Sequence, residues 1–440
     1  PANSAPTGEA DTDGDGLPAS VERAYGTSAE KSDSDGDGYN DDAELAALTN
    51  PNDPKSCSLT AIFQRKIMDL SLTPEQEMLK TAVRRFVQQE YPKETLLQIA
   101  SPTEPSPEEP WQQLTQTGWL GILIPTEYGG EGGSFTDAGV FFEELGRGPV
   151  PGPHISSVVL AAQTLLEGGT EDQKKSWLPR MATGEVRMVP AITEADYGWL
   201  EGDVRLNGKV SGDGLSLNGK KAYVYDGESA THLLCVARSE ESNDVGLVIV
   251  PADSQGISIR HLPGFAWNSS EIAFENVSAD PTQVLGGAFA GGWDALERAE
   301  AKTIPVLCAY QVGGSQAIYE LSVDYSRTRH QFGTPIGRFQ RVQDQVINLL
   351  NALDAARWTA YEALWKLDIG RDASDSVHLA KAVGSEGYYE ACNYAHEVHA
   401  GVGSMTEYGL TLHTTASRTL YHYLGDPKFH RRRLADALGL

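Results

Sequence analysis

The sequence predicts an α+β protein with helices toward both ends, a β-rich middle and a short acidic module at the N-terminus. Apolar residues recur at helical spacing on both sides of residues 324–343, short apolar runs crowd residues 188–285, and acids crowd residues 1–57. A chain of 440 residues, 40% of them hydrophobic, is long enough for about three domains with their own cores. The predicted divisions are an acidic module at 1–57, a linker at 58–67, a helical domain at 68–187, a β domain at 188–285 and a helical domain at 286–440.

The charge of the chain is distributed unevenly. The formal net charge is -26, and residues 1–57 hold thirteen acids against three bases. A protein that neutralises nucleic-acid phosphates needs an excess of Lys and Arg, so the composition argues against a nucleic-acid partner. No apolar run approaches the roughly 20 residues that a membrane-spanning helix requires.

Two acidic loops in the first module have the spacing of a calcium site. Each places acidic oxygens at the first, third and fifth positions, glycine at the sixth, a backbone carbonyl at the seventh and a carboxylate at the twelfth. The predicted ligands are Asp11, Asp13, Asp15, the Leu17 carbonyl and Glu22 in the first loop, and Asp33, Asp35, Asp37, the Tyr39 carbonyl and Glu44 in the second. The pair resembles the calcium-binding type 3 repeats of thrombospondins and bacterial secreted proteins, and a disordered acidic tail is the alternative.

The helical domain begins with a clear helix start. Thr73 fits an N-cap, Pro74 fits the first helical position and Gln76 completes a capping box. Further along, residues 188–285 contain short apolar runs separated by Asn-Gly and Gly-rich pairs, which are hairpin signals. We expect a compact antiparallel barrel or sandwich there, with hairpin turns at Asn207-Gly208, Gly212-Asp213-Gly214 and Asn218-Gly219.

Residues 324–343 predict a hinge between two long helices, because Pro335 and the glycines at 333 and 337 interrupt the helical pattern. In order and spacing this stretch closely resembles the arginine, Phe-Gly, Pro-Ile, Phe-Gln signature of the acyl-CoA dehydrogenase family. The resemblance covers residues 68–440. It implies the acyl-CoA dehydrogenase-like fold, with a helical N-terminal domain, a middle antiparallel β domain and a C-terminal four-helix bundle.

The resemblance also implies FAD, an acyl-CoA thioester substrate, an electron-transfer acceptor and a dimer or tetramer. In the family, the positions matched here by Arg329, Phe332, Gln340, Gly401 and Gly403 approach a neighbouring subunit's FAD, and the position of Thr193 contacts the chain's own flavin. Three further contacts to that flavin are altered: Trp199 replaces a serine, Tyr223 a tryptophan and Tyr225 a threonine.

The family's catalytic carboxylate is missing from both of its usual positions, which here hold Thr303 and Leu424. Desaturation of a thioester needs a base for the α proton, so Glu300 and Asp426 are the nearest substitutes. The resemblance implies an FAD-dependent oxidoreductase of fatty-acid or steroid side-chain metabolism. The chain is then either an active enzyme itself or the base-less subunit of a heteromer that includes a related catalytic subunit. The alternative is a non-catalytic, calcium-ordered structural or assembly protein. The dehydrogenase part suggests the cytoplasm and the calcium repeats an extracytoplasmic setting, so localisation stays open.

Overall fold

A computed structural model of the chain describes residues 71–99, 109–211, 214–263 and 269–440, together with residues 17, 18, 21, 23, 25–28, 30–34, 40, 41, 51, 52, 68 and 70. The chain divides into two compact units, residues 1–71 and 72–440. Within the described residues, no helix is both long enough and apolar enough to cross a membrane.

The first unit is described only in part. The Asp41 carboxylate is buried and accepts hydrogen bonds from the Ser34 amide at 2.9 Å and the Ser34 hydroxyl at 2.7 Å. Leu17 and Asp33 are described, and the described residues contain no cluster of metal-ligating side chains. The other predicted calcium ligands lie outside the described residues: Asp11, Asp13, Asp15, Glu22, Asp35, Asp37, Tyr39 and Glu44.

The second unit opens with helices. They are α1 (Pro74–Glu90), α2 (Lys93–Ile99), α3 (Glu109–Thr115), α4 (Phe135–Arg147), α5 (Ala162–Gly168) and α6 (Glu171–Ala182). The predicted start of α1 is confirmed: the Thr73 hydroxyl accepts from the Gln76 amide, and the Gln76 side chain accepts from the Thr73 amide. Ser134 and Asp137 form the same reciprocal pair at the start of α4.

A seven-stranded sheet follows, in the order β1-β4-β2-β3-β7-β6 with β5 paired to β4. Its strands are β1 (Met188–Ala191), β2 (Asn207–Ser211), β3 (Gly214–Tyr225), β4 (His232–Ser239), β5 (Val245–Pro251), β6 (Ile257–His261) and β7 (Ser269–Ala279). Most pairs are antiparallel, as predicted, but β4 pairs with both β1 and β2 in parallel. The expectation of a purely antiparallel domain is therefore corrected at these two pairs.

The turn predicted at Gly212-Asp213-Gly214 connects β2 to β3, which pair antiparallel with Ser211 opposite Gly214, although residues 212 and 213 lie outside the described residues. The two predicted Asn-Gly turns are wrong. Asn207 and Gly208 open β2, and Asn218 and Gly219 lie inside β3, which stays paired with β7 on either side of a register shift. Gly219 has a φ of 138°, a conformation that a side chain would strain. The Asn218-Gly219 pair therefore forms an irregularity within one long strand, and it does not reverse the chain.

The C-terminal helices are α7 (Gly292–Thr328), α8 (Gln340–Asp368), α9 (Ser374–His399), α10 (Leu410–His422) and α11 (Pro427–Ala437). The predicted hinge is confirmed, because α7 ends at Thr328, α8 begins at Gln340 and a two-stranded ribbon of β8 (His330–Gln331) and β9 (Thr334–Pro335) lies between them. The apolar stripe that the sequence predicts after the hinge, at Val342, Ile347, Leu350 and Leu353, is only partly buried. Leu353 is in the core, but Ile347 is 53% exposed and Leu349 takes its place.

Candidate active site

The four positions that the resemblance assigns to the chain's own flavin, and one of its two base positions, meet at one small cavity, which we call the ring cavity. Strand β3, the segment after β1, helix α7 and the turn after α10 all contribute to it. Its lining includes Thr193, Tyr197, Trp199, Tyr223, Tyr225, Glu300, His422, Tyr423 and Leu424. The structure therefore brings together the altered contacts and one of the two substitute bases.

Aromatic rings fill most of this space. The Tyr197 ring lies 5.3 Å from Trp199 and 4.9 Å from Tyr223, both in edge-to-face geometry. The Tyr225 ring lies 5.1 Å from Tyr423, and its hydroxyl donates to the Thr419 carbonyl at 3.2 Å. Burial raises the pKa of Tyr225 well above its ordinary value, so the hydroxyl stays neutral at any physiological pH.

The ring cavity does not fit the flavin that the resemblance implies. Its volume is about 30 Å³, and a second cavity of about 40 Å³ lies on the other side of Tyr225 and Tyr423. Cavities of this size hold roughly one to three waters each, whereas sites for drug-sized ligands span about 300 to 1,000 Å³. Thr193 is also engaged within the chain, because its hydroxyl donates to the Ala222 carbonyl at 2.7 Å.

The four positions considered for a catalytic base have different surroundings. The Thr303 hydroxyl is buried and donates to the Ala299 carbonyl at 2.7 Å. Leu424 lines the ring cavity, where its backbone has a φ of 58°. Asp426 caps α11, since its carboxylate accepts from the Phe429 amide at 2.7 Å. Of the two acids among these four positions, Glu300 therefore lines the ring cavity and Asp426 does not.

Glu300 also has an unusual acidity. Its pKa is raised to about 8, mainly by burial and also by the negative charge of Glu297, while Arg433 opposes the shift. A carboxyl group with such a pKa can both accept and donate a proton near neutrality, as a general acid or base must. In the sequence, Glu300 was a candidate base only because it lies one helical turn from Thr303. The structure adds that Glu300 lines the ring cavity.

Two further groups hold this wall in place. The buried Lys381 ammonium donates to the Leu420 carbonyl at 3.1 Å and the Tyr421 carbonyl at 3.3 Å, in the last turn of α10. His430 Nε2 donates to the Leu424 carbonyl at 2.7 Å, so its Nδ1 accepts from His378 Nδ1 at 3.0 Å. Burial lowers the pKa of His430 to about 3, which keeps it in this neutral form.

The positions assigned to a neighbour's cofactor lie elsewhere, around the hinge. Arg329, Phe332, Gln340 and Gly401 are all exposed, and we call them the hinge surface. Phe332 is 93% exposed at the tip of the β8–β9 ribbon, with its ring 6.1 Å from that of Phe339. The fifth position, Gly403, is buried, and an added Cβ there would lie 3.1 Å from His399 and Leu410.

Comparison with known proteins agrees with these observations. The models of the acyl-CoA dehydrogenase N-terminal and C-terminal domains match residues 73–185 and 290–439, more than half of the chain together. The bacterial TSP3 repeat model matches residues 11–27 and 33–54. A relative named as a probable acyl-CoA dehydrogenase YngJ, from Bacillus subtilis, is 29% identical over 353 residues, which are 78% of this chain and 92% of that protein.

Solved structures show the same fold. The ChsE4-ChsE5 complex from Mycobacterium tuberculosis matches with a TM-score of 0.76 at 23% identity, over 84% of this chain and 99% of that one. The FAD complex of PigA matches with a TM-score of 0.77 at 23% identity, over 85% of this chain and 100% of that one. The helical, sheet and hinge elements described above thus form the architecture of those proteins, and the chain belongs to the acyl-CoA dehydrogenase family.

Proposed function

We propose that this chain is the base-less subunit of a heteromeric acyl-CoA dehydrogenase-type oxidoreductase, in which its hinge surface completes the FAD site of a related catalytic subunit. The observation that carries the proposal is the size of the ring cavity, about 30 Å³ against the several hundred that a ligand of flavin size needs. The partner would supply the flavin ring and the base, and this chain would supply contacts to the rest of the cofactor.

The chemistry of the hinge surface supports this role. In a chain with a net charge of -26, the short segment 327–341 carries four arginines and no acid. An exposed guanidinium such as that of Arg329 suits a pyrophosphate, because it offers planar, permanently charged donors. Gly401 has open space where a Cβ would project, with no described atom of this chain within 4 Å. An approaching partner chain or its cofactor could use that space.

The partner's reaction would use an acyl-CoA thioester, as the name of the Bacillus relative implies for that protein, and an electron-transfer acceptor. In this arrangement the present chain removes no proton. Its role would be to bind and position the partner's cofactor through charge and hydrogen bonds. The name of the ChsE4-ChsE5 complex says that a chain of this fold assembles with another protein in that case.

The test compares flavin retention in the assembled oligomer with that of the chain expressed alone. We expect the isolated chain to be colourless, and the assembly to hold FAD. Replacing Arg329 by Ala removes a charge-assisted contact worth about 1.5 to 3 kcal/mol, or roughly 10- to 150-fold in FAD affinity. Arg260→Ala, an exposed arginine on β6 paired with Glu271, is the matched control and should leave retention unchanged.

Unchanged flavin retention in the Arg329→Ala assembly would overturn the proposal. So would a yellow homo-oligomer that desaturates any acyl-CoA thioester in an artificial-acceptor assay. The second result would favour a self-contained enzyme with Glu300 as its base, an alternative supported by the position of Glu300 in the ring cavity and its raised pKa. In that case Glu300→Gln should lower the rate by about 10²- to 10⁴-fold.

A second proposal concerns residues 1–57, which we infer to bind two calcium ions and to become ordered by them. The TSP3 match and the duplicated ligand spacing support it. Loops of this kind bind calcium weakly, with dissociation constants of about 10⁻⁴ to 10⁻³ M in extracellular modules, so we expect them to work outside the cytosol. Calorimetry on the full chain tests the proposal: uptake should fall by one ion in Asp13→Ala and in Asp35→Ala, and no uptake by the unaltered chain would contradict it.

A further inference from the structure

A separate cavity lies among the helices of the second unit, between α1, α2, α4 and the C-terminal half of α7. Its volume is about 380 Å³, more than ten times the 30 Å³ of the ring cavity. Small-molecule sites in proteins usually span about 300 to 1,000 Å³, so this cavity reaches the range that the ring cavity does not. None of its lining residues lines the ring cavity. We call it the basic cavity.

The wall of the basic cavity is apolar and built from core residues. Val87, Tyr91, Leu96 and Leu412 line it and are buried in the unit. Gly148 also lines the cavity, and an added Cβ there would come within 2.4 Å of Val87 Cγ1. Because the four apolar side chains are buried in the core, the cavity is a formed part of the fold. An apolar body of a ligand would contact them.

The charged residues around the cavity are mostly basic. Arg84, Lys93 and Arg147 line it, against a single carboxylate, Glu144. The Arg84 guanidinium donates two bonds to Glu144, at 2.8 and 2.6 Å, and Arg147 lies 3.4 Å from the same carboxylate. One buried carboxylate thus faces two guanidiniums, and Arg147 also pairs with Glu320 outside the lining.

Lys93 provides the remaining positive charge at the mouth. Its side chain is half-exposed, and its described ion pair is a 3.7 Å contact with the exposed Glu94. Contacts of this length between exposed groups contribute little, about 0 to 1 kcal/mol, so the ammonium can turn toward a bound anion at small cost. The Lys93 stem passes over Gly409, whose added Cβ would lie 2.9 Å from Lys93 Cδ.

We propose that the basic cavity binds a small amphipathic carboxylate, with its aliphatic or aromatic body against the apolar wall and its anionic end at Lys93 and Arg84. A neutral ligand of the same shape would gain only the apolar contacts, and a cation would be repelled by the net positive charge of the lining, three basic side chains against one carboxylate. This site is independent of the proposed function, because neither the ring cavity nor the hinge surface takes part in it.

The test is isothermal titration calorimetry of the full chain with sodium decanoate, 1-decanol and decyltrimethylammonium. We expect saturable binding of decanoate at one site, binding of decanol at least about tenfold weaker, and no binding of the cation. Lys93→Glu should weaken decanoate binding by about tenfold or more and leave decanol binding unchanged. Equal affinities for decanoate and decanol would overturn the assignment of an anionic ligand.

Two filling variants locate the site. Ala317→Trp and Leu321→Trp place an indole in the cavity from α7, and each should abolish decanoate binding. Ile369→Trp, at an exposed position just beyond α8 and outside the lining, is the matched control and should bind as the unaltered chain does. Circular dichroism separates loss of the site from loss of the fold. Decanoate binding that survives both filling variants in folded protein, or no saturable binding at all, would overturn the proposal.

Discussion

Replacing Lys221 by Met should destabilise the second unit strongly, because it leaves a buried carboxylate without its cation. The Lys221 ammonium is fully buried, 2.7 Å from Glu194 Oε1 and 2.9 Å from the Ile192 carbonyl oxygen. Burial lowers the pKa of Lys221, and the charge of Glu194 opposes that shift. The charge of Glu194 therefore helps to keep the buried Lys221 side chain protonated.

These contacts allow the expected loss in the free energy of unfolding to be estimated. Breaking a buried ion pair by removing one partner typically costs about 3 to 5 kcal/mol. Glu194 would keep hydrogen bonds from the Arg205 and Leu206 amides, both at 2.8 Å, which favours the lower end, about 3 kcal/mol in the free energy of unfolding. Glu194→Gln combined with Lys221→Met removes both charges and should recover more than half of that loss.

Urea unfolding followed by circular dichroism measures these differences. Lys220→Met is the matched control, because the neighbouring Lys220 is exposed. Its ammonium makes a long, 3.5 Å contact with the Glu271 carboxylate, which is worth about 0 to 1 kcal/mol. A Lys221→Met variant that loses less than about 1 kcal/mol would refute the reasoning. A double variant no more stable than the single one would show that the lost packing of Lys221, and not the unpaired charge of Glu194, dominates.

Three further predictions concern stability. Ala400 has a φ of 53° and a ψ of -137°, so Ala400→Gly should raise the free energy of unfolding by about 1 kcal/mol, whereas Ala391→Gly inside α9 should lower it by a similar amount; equal losses would contradict this. The pKa of Glu300 is raised to about 8 in the folded chain, so the stability that its protonated form contributes is complete below about pH 4.5 and is lost as the pH rises to 8. Denaturation midpoints measured across this window should show that decline, and Glu300→Gln should abolish it. Thr73→Ala should lower the denaturation midpoint through a loss of about 1 kcal/mol, and Thr81→Ala on the exposed side of α1 should have a smaller effect.

The sequence alone determined features that depend on neighbouring residues or on motifs in order. The Thr73 cap, the hinge between α7 and α8 and the family itself all follow from short stretches whose geometry is local. A capping box needs only a few consecutive residues, so no distant contact can alter its signal. The altered positions Trp199, Tyr223 and Tyr225 were likewise visible in the sequence.

Only the tertiary structure decided what those substitutions do together. Tyr197, His422 and Tyr423 were not singled out, and they complete the aromatic filling from two distant segments. The parallel pairing of β4 and the strand position of Asn218-Gly219 also depend on long-range partners. Register and cavity volume are set by side chains far apart in sequence that compete for one space, and no local pattern records the outcome of that competition.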